Sequence, residues 1–290
     1  AKLKAIAKSN TDTAVDAFIY DTRKDSDGGA WRKRVQHTSW YNETLSTSTR
    51  GSRKDFPAVA VIVATSNYKV IIYDGDDPAL PMWMEFTLSN YNVASNWSTS
   101  KFGLGSPGFQ GGDPSTVRMV NGQLVIGMKL AGSHGGYMVN FISELMIDMV
   151  QYGTAPNQFY HYLGNISQRN SDSVYTVGQK YSYGEVDPRI KGRLMSGAVY
   201  DVAMTVLPNA PIDPDTGLPN PTIALCTYSG ITIIKDDLSL VNITTTTIQH
   251  ETPMHVKFIG NRIFWLGQNN YDLGWSSAYT AFIPGEDITV

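Results

Sequence analysis

The stretch FPAVAVIVATSNYKVIIYDGDDPALPMWMEF (residues 56–86) alternates between short apolar runs and residues that favour turns. Runs rich in β-branched and aromatic residues, bounded by Gly, Pro, Asn and Asp, are typical of β-strands joined by tight turns. The first turn is centred on Ser66 and Asn67, and the loop DGDDPALP precedes the third run. The stretch therefore predicts three consecutive strands, near residues 58–64, 69–73 and 82–87.

The same pattern recurs along the chain. VRMVNGQLVIGMKL predicts a hairpin around Asn121 and Gly122, because this pair tolerates the positive φ angles of a type I′ turn. GGYMVNFISELMIDM is expected to continue that sheet, although NFISELMIDMV also has the apolar spacing of a short helix. Further strands are predicted in DVAMTVL, PTIALCTYSGITIIKDDLSLVNIT and HVKFIGNRIFWLG.

Two of the predicted hairpins align without gaps, VRMVNGQLVI from Val117 and VKFIGNRIFW from Val256. Repeated units of three to four strands are typical of stacked or radial modules. We therefore expect the hairpins 117–126 and 256–265 to occupy equivalent places in two different sheets. Candidate modules begin near residues 16, 58, 117, 202 and 256.

These signals predict an all-β fold, a β-propeller-like array of three-to-four-stranded modules with long loop insertions. Radial closure is favoured because it removes exposed sheet edges, and a β-sandwich or jelly roll is the alternative. No low-complexity linker divides the chain, so residues 1–290 are interpreted as a single β-rich domain. Residues 1–50 are expected to form an N-terminal arm or first module, and 89–115 and 150–198 are interpreted as insertions.

Composition excludes several classes of protein. Apolar residues make up 42% of the chain and the net charge is −3, so a packed core is expected without a general field for polyanions. A single cysteine, Cys226, excludes an internal disulfide and a thiolate zinc site. The longest apolar run, 58–64, is too short to span a bilayer, and AKLKAIAKSN lacks the apolar core of a signal peptide.

The stretch YDTRKDSDGGAWRKRVQHTSWYN (residues 20–42) concentrates acids, glycines and tryptophans, which raises the possibility of a calcium loop. An EF-hand loop needs acids at positions one, three and five and a glutamate at twelve. The third position from Asp21 is an arginine, and the twelfth from Asp25 is a glutamine, so both registers fail. A non-standard oxygen site around Asp21, Asp25 and Asp27 stays open.

The same stretch approaches the Asp-box turn of many propeller blades, Ser/Thr-x-Asp-x-Gly-x-x-Trp, through Asp25, Asp27, Gly29 and Trp31. The tryptophan comes one residue early and an aspartate replaces the Ser/Thr, so a surface hairpin turn is the favoured interpretation. We expect a loop between outer strands of the first module, with Trp31 packed. Either aspartate should accept backbone hydrogen bonds within the turn.

Trp31, Arg32, Lys33 and Arg34 also suggest a nucleic-acid patch, since aromatic and cationic side chains suit stacking and phosphate contact. In a strand, however, alternate side chains face opposite ways. A solvated strand face or a salt-bridged subunit contact is therefore favoured. Duplex DNA is expected to bind weakly, because non-specific affinity requires several phosphates to be neutralised at once.

Other motifs fail on structural grounds. GLGSPG (103–108) matches a dinucleotide-binding pattern, but Pro107 prevents the required helix. HETPMH (250–255) spaces its histidines one residue too far for a zinc protease, and Pro253 breaks the helix. No G-x-S-x-G elbow occurs.

Single titratable residues give no stronger signal. The histidines considered are isolated, and the neighbouring acids lie in turn contexts, where they usually cap backbone groups. These residues are His37, His134, His161, the pair Asp76 and Asp77, and the pair Asp236 and Asp237. The sequence therefore predicts no catalytic, cofactor-binding or metal-binding residue, and no enzymatic activity.

Aromatic residues make up 11% of the chain and cluster in two segments. They could stack on sugar rings if exposed, or fill the core and interfaces if buried, and the second interpretation is favoured. The segments contain Phe159, Tyr160 and Tyr162, and Trp83, Tyr91 and Trp97.

Three segments, residues 16–43, 49–86 and 201–237, carry a resemblance to tail structural proteins of marine tailed phages, nozzle-like or fibre-like. Nozzle proteins of short-tailed phages contain β-propellers around the DNA exit channel. The resemblance implies a non-enzymatic virion component, made in the host cytoplasm, that assembles symmetrically with copies of itself and with other tail or capsid proteins. It also implies passage of phage DNA without tight binding.

Two other functions remain open at this point. A carbohydrate-binding or glycan-cleaving propeller would recognise a glycan of the host surface and would account for the aromatic segments and the near Asp-box. An ordinary cytoplasmic binding propeller would require neither assembly nor a glycan.

Overall fold

The computed structural model describes residues 13–88, 113–129, 134–150, 159–163, 165–170, 189–190, 192–244, 251–269 and 275–289. The fold is all-β, as predicted, and its strands form five sheets in which all pairings but one are antiparallel. The exception is a short parallel pairing of the last strand with a neighbour in the third sheet. Four of the sheets form the body of the fold.

The strands follow one another outward in each of these sheets. The first sheet contains β1 (Ala14–Asp21), β2 (Val59–Thr65), β3 (Lys69–Asp74) and β4 (Met82–Thr87). The second contains β5 (Pro114–Val120), β6 (Gln123–Met128), β7 (His134–Asn140), β8 (Leu145–Val150) and β9 (Phe159–Leu163).

The third sheet contains β10 (Val199–Thr205), β13 (Thr222–Thr227), β14 (Gly230–Ile234), β15 (Leu240–Thr244) and β19 (Ile288–Thr289). The fourth contains β16 (Glu251–Ile259), β17 (Arg262–Asn269) and β18 (Trp275–Phe282). A small ribbon pairs β11 (Ile212–Asp213) with β12 (Leu218–Pro219). The described helices are single turns, of 3-10 type at Thr22–Lys24, Ala30–Lys33 and Ile166–Gln168, and of α type at Ser39–Asn42.

Consecutive sheets pack side by side through their first strands: β1 contacts β5, β5 contacts β10, and β10 contacts β16. Each of the three junctions is filled by its own apolar cluster. Inner sheets are apolar on both faces because each face meets a different neighbour. This serial arrangement is that of a β-propeller-like array, and it differs from the two facing layers of a sandwich.

Local turn chemistry agrees with the sequence. Asn121 and Gly122 have φ angles of 49° and 73°, so the β5–β6 hairpin closes with both central residues left-handed, as a type I′ turn requires. The segment 141–149 forms a turn and strand β8, and no helix. Glu144, with φ at 57°, closes that turn, which resolves the ambiguity in favour of the strand.

The number of modules differs from the prediction. The candidate modules near residues 16 and 58 belong to one sheet, because β1 pairs with β2 across the long loop between them. Within the described residues the array therefore has four sheets, which begin with β1, β5, β10 and β16. The predicted insertion 150–198 contains strand β9, which completes the second sheet, while 89–112 lies outside the described residues.

The two aligned hairpins do occupy equivalent places. Residues 117–126 lie in β5 and β6, and residues 256–265 lie in β16 and β17. In both cases these are the first two strands of a sheet, and the two sheets are different. The internal repetition in the sequence therefore has a structural counterpart.

Candidate functional site

Each of the four first strands contains a β-bulge in its first half. The register shifts between Ala14 and Asp16, Pro114 and Thr116, Val199 and Asp201, and Pro253 and His255. Prolines are tolerated here because these strands lie at an edge of their sheets and the bulge interrupts the ladder. The four residues that follow the bulges, Asp16, Thr116, Asp201 and His255, therefore hold equivalent positions. Together with Arg118 we call them the polar seam.

Asp16 joins the first sheet to the second. Its Oδ2 accepts the backbone N–H of Val117 at 3.0 Å and a hydrogen bond from Arg118 Nη1 at 2.6 Å. Its Oδ1 accepts the N–H of the next residue, Ala17, at 2.9 Å. Both carboxylate oxygens are thus occupied by donors of the protein.

Asp201 repeats this arrangement between the third sheet and the fourth. Its Oδ2 accepts the N–H of Val256 at 3.0 Å and lies 3.5 Å from Nδ1 of His255. Its Oδ1 accepts hydrogen bonds from Thr116 Oγ1 and Arg118 Nη2, both at 3.2 Å. Since Arg118 also binds Asp16, one guanidinium bridges the carboxylates of the first and third sheets.

The electrostatics of the polar seam favour a structural role. Burial by itself raises the pKa of Asp16, but the N–H of Val117 and the charge of Arg118 together hold the pKa below its ordinary value. Asp16 is therefore an anion that is stabilised by fixed donors. An acid or base catalyst needs a pKa near the working pH and a proton within reach of substrate. The geometry suits attachment of neighbouring sheets.

The loop after β1 is anchored on Asp25. Its Oδ2 accepts hydrogen bonds from the Tyr20 hydroxyl and from Trp31 Nε1, the latter at 2.8 Å, and its Oδ1 accepts the N–H of Asn121 at 2.9 Å. The Tyr20 oxygen in turn accepts the N–H of Gly122 at 3.0 Å. Burial raises the pKa of Asp25, and burial beside this carboxylate raises the pKa of Tyr20. The loop is thereby fixed to the β5–β6 turn.

The carboxylates considered as a calcium site face different partners. Asp21 pairs with Arg23 at 2.7 Å, and Asp27 pairs with Arg34 at 3.0 Å while accepting the N–H of Gly29. Within the described residues, no group of three or more His, Cys, Asp or Glu is placed to hold a metal ion. The expectation that an aspartate caps its own turn is confirmed for Asp27.

The solvated strand face that was favoured over a nucleic-acid patch does not form, since Ala30–Lys33 is a 3-10 turn. Trp31 is fully buried, as expected for a packed residue, with its ring 5.2 Å from that of Phe56. Arg32 donates to the carbonyl of Phe56 at 2.8 Å, and Arg34 donates to that of Thr216 at 3.2 Å. A buried tryptophan cannot stack on a base, and these cations are tied to the fold.

Other residues singled out in the sequence form hydrogen bonds in turns or lie outside the residues that the structure describes. Asp76 accepts the N–H groups of Ala58 and Val59, and Asp237 accepts that of Ser239, which confirms their capping role. Nδ1 of His37 lies 3.1 Å from the Arg34 carbonyl. His134 and His161 lie on β7 and β9, whose relevant side chains are not described, and residues 103–108 are also outside the described ranges.

Of the HETPMH motif, Pro253 and His255 lie in strand β16, so the helix that a zinc protease needs is absent from this segment. The aromatic segments are only partly described. Trp83 is buried, Tyr91 and Trp97 fall outside the described residues, and Phe159, Tyr160 and Tyr162 lie on β9 without described side chains.

A buried ionic triad went unnoticed in the sequence. Glu43 pairs with Arg50 at 2.8 Å and with Arg169 at 2.7 Å, and both arginines are almost fully buried. The guanidiniums also donate to backbone carbonyls, Arg50 to Trp83 at 2.9 Å and Arg169 to Glu85 at 2.9 Å. No spacing rule could reveal this triad, because Arg169 lies more than a hundred residues of chain beyond Glu43 and Arg50.

A solvent-open groove lies where the second sheet approaches the β11–β12 ribbon. Its walls combine apolar Ile147 and Leu238 with Asn140, and with the ion pair of Arg189 and Asp215 at 3.7 Å. This lining offers polar contacts without a nucleophile next to a base. The groove therefore gives no indication of a particular reaction.

The fold and the polar seam define an all-β, β-propeller-like protein whose neighbouring sheets are joined by hydrogen bonds of the seam. No family model matches the chain, and no curated protein matches it. Among solved structures, the structure of Hsv2p from Kluyveromyces lactis is similar at 9% identity over 73% of this chain and 68% of that chain, with a TM-score of 0.25. Within the described part of the chain, none of the helices has the length and apolar character that crossing a bilayer requires.

Proposed function

We propose that the chain is a non-enzymatic structural component of a tailed-phage virion, located in the tail as a nozzle, hub or fibre-associated protein. The observation that carries the proposal is the use of the polar seam. Its carboxylates are occupied by backbone N–H groups and by Arg118, so they attach sheets to one another. A scaffold of this kind supports assembly through its surfaces.

The surface supports the same proposal. Large apolar side chains are exposed on the first strand of the first sheet and on the fourth sheet, among them Ile19 and Phe282. Exposed apolar groups at the edge of a stable scaffold are typical of protein–protein contact. The partners we propose are other tail or capsid proteins and further copies of this chain.

A position along the DNA path is compatible with the charges. The net charge is −3. Arg32 and Arg34, which were considered for phosphate contact, form hydrogen bonds within the fold. Because non-specific DNA affinity needs several phosphates neutralised at once, DNA would pass without tight binding.

Mass spectrometry of purified particles tests the virion assignment directly. We expect the chain in stoichiometric amounts with the other tail proteins, and at the same ratio after a high-salt wash. Its absence from particles that contain the remaining tail proteins would contradict the assignment. Binding of the isolated protein to host glycans, with no chain in particles, would favour the carbohydrate-binding alternative instead.

A further inference from the structure

The outer edge of a sheet is where a further strand can pair with it. In the first sheet, Glu85 on the outer strand β4 donates its N–H to the carbonyl of Thr49. The N–H of Gly51 binds the carbonyl of Trp83 on the same strand, so this edge is covered. In the third sheet β19 covers β15. The fourth sheet ends at β18, beside which there is no further strand among the residues that the structure describes.

The register of β18 determines which of its backbone groups point outward. Ile283 donates its N–H to the carbonyl of Asn261, so the two strands form a hydrogen-bonded pair at this position. Hydrogen-bonded and non-hydrogen-bonded pairs alternate along antiparallel strands, so Ala281 and Tyr279 bond to β17. The alternate residues direct their N–H and C=O groups away from the sheet; they are Ala278, Thr280 and Phe282.

The outward-pointing edge of β18 lacks the features that prevent strand pairing. Ala278, Thr280 and Phe282 are exposed, and Phe282 is 60% exposed. Natural edge strands are protected by charged side chains, especially lysine, and by proline. The sequence of β18, WSSAYTAF, contains none of these and is rich in residues that favour strands. An edge of this kind is a template for a strand of another chain.

The sequence of β18 is suited to pairing with a second copy of itself. Antiparallel pairing about a two-fold axis at Thr280 sets the two threonines opposite each other, an arrangement that is favourable between strands. It also sets Ala278 of each copy opposite Phe282 of the other, so the large exposed ring meets a small side chain. Because β18 carries no charge, no like charges are set opposite each other.

We propose that two copies of the chain pair antiparallel along β18, which joins their three-stranded fourth sheets into one continuous sheet. The three opposed pairs of residues use the outward N–H and C=O groups and would exchange about six hydrogen bonds. A two-fold interface covers both edges at once, so assembly through this edge stops at the dimer. The inference deepens the proposed function, on which it rests for self-assembly as the use of this edge.

The first experiment measures the molar mass of the full chain in solution by light scattering over a range of concentrations. We expect a dimer, at twice the mass of one chain. Thr280→Pro should weaken the dimer by at least about tenfold, because it removes the N–H of the central pair in both copies. The strand itself tolerates this proline, since the N–H does not bind β17. Thr280→Val is the matched control, because it keeps the N–H and the branched shape, and it should leave the dimer unchanged.

The second experiment tests the register. Thr280→Cys sets the two introduced thiols opposite each other, so a short thiol cross-linker should join the copies. Ala278→Cys is the matched control on the same face of the same strand, because its two thiols would lie about 14 Å apart along the strand direction. It should be cross-linked only when it is mixed with Phe282→Cys. The native Cys226 is fully buried and leaves the background low.

A chain that stays monomeric at high concentration would overturn the proposal, as would a Thr280→Pro variant that remains as dimeric as the control. Cross-linking of Ala278→Cys with itself as readily as Thr280→Cys would overturn the antiparallel register. Circular dichroism and thermal unfolding of each variant verify that loss of the dimer is not loss of the fold. These readouts do not depend on phage particles, so they can fail while the virion assignment stands, or succeed while it fails.

Discussion

Asp201 Oδ2 accepts the backbone N–H of Val256 at 3.0 Å and so binds the third sheet to the fourth, 55 residues further along the chain. Asp16 makes the same bond to Val117 between the first two sheets. A single carboxylate oxygen at a bulge thus performs the same role at two junctions of the array.

Asp201→Ala should destabilise the protein by about 2–4 kcal/mol. The change leaves the buried N–H of Val256 without its acceptor and removes one partner of Arg118. The free energy of urea-induced unfolding measures the effect. Asp215→Ala is the control, because its pair with Arg189 is surface-exposed and long, and should change the free energy by less than about 0.5 kcal/mol. Equal losses for both variants would contradict the role of the seam.

Asp25→Asn should cost about 2–3 kcal/mol of unfolding free energy. The carboxylate accepts from Tyr20, Trp31 and Asn121, whereas an amide offers a single acceptor oxygen to three donors. Asp77→Asn is the matched control, since its oxygen caps an exposed turn and an asparagine caps equally well. Near-ultraviolet circular dichroism should also change only in the Asp25 variant, through the environment of Trp31.

Arg169→Met should destabilise the protein by about 3–5 kcal/mol, because it removes one of two cations that compensate buried Glu43. Arg23→Met is the control, since this arginine is exposed and pairs on the surface with Asp21. Thermal unfolding of the two variants measures the difference. If Arg169→Met has the same midpoint temperature of thermal unfolding as the protein without the substitution, the triad does not stabilise the fold.

Asp16 makes stability dependent on pH in a defined direction. Its pKa is lowered in the folded protein relative to the ordinary value of 3.8, so the unfolded chain binds a proton first as the pH falls. The stabilisation is complete above the unfolded pKa and is lost as the pH falls through the folded pKa. The difference in unfolding free energy between the unchanged protein and Asp16→Asn should therefore be constant near neutral pH and shrink below about pH 4. A difference that grows on acidification would reverse the assigned sign.

Much of the array follows from short-range patterns. The strands predicted near 58–64, 69–73 and 82–87 correspond to β2, β3 and β4, and the type I′ turn at Asn121 is present. Residue alternation and turn chemistry act over a few residues, so they can be recognised in sequence. The number of sheets could not be predicted, because β1 finds its partner across a loop of 37 residues, 22–58.

The sequence by itself determined the all-β class, the hairpins and the equivalence of the repeats at Val117 and Val256, since each depends on neighbouring residues. Tertiary structure alone decided the contacts that hold the array together: the seam from Asp16 to His255, the anchoring of Asp25 on Asn121, and the pairing of Glu43 with Arg169. These residues are distant in the chain and meet because the apolar faces of consecutive sheets pack together. Only that packing fixes which donor reaches which carboxylate, and no local pattern encodes it.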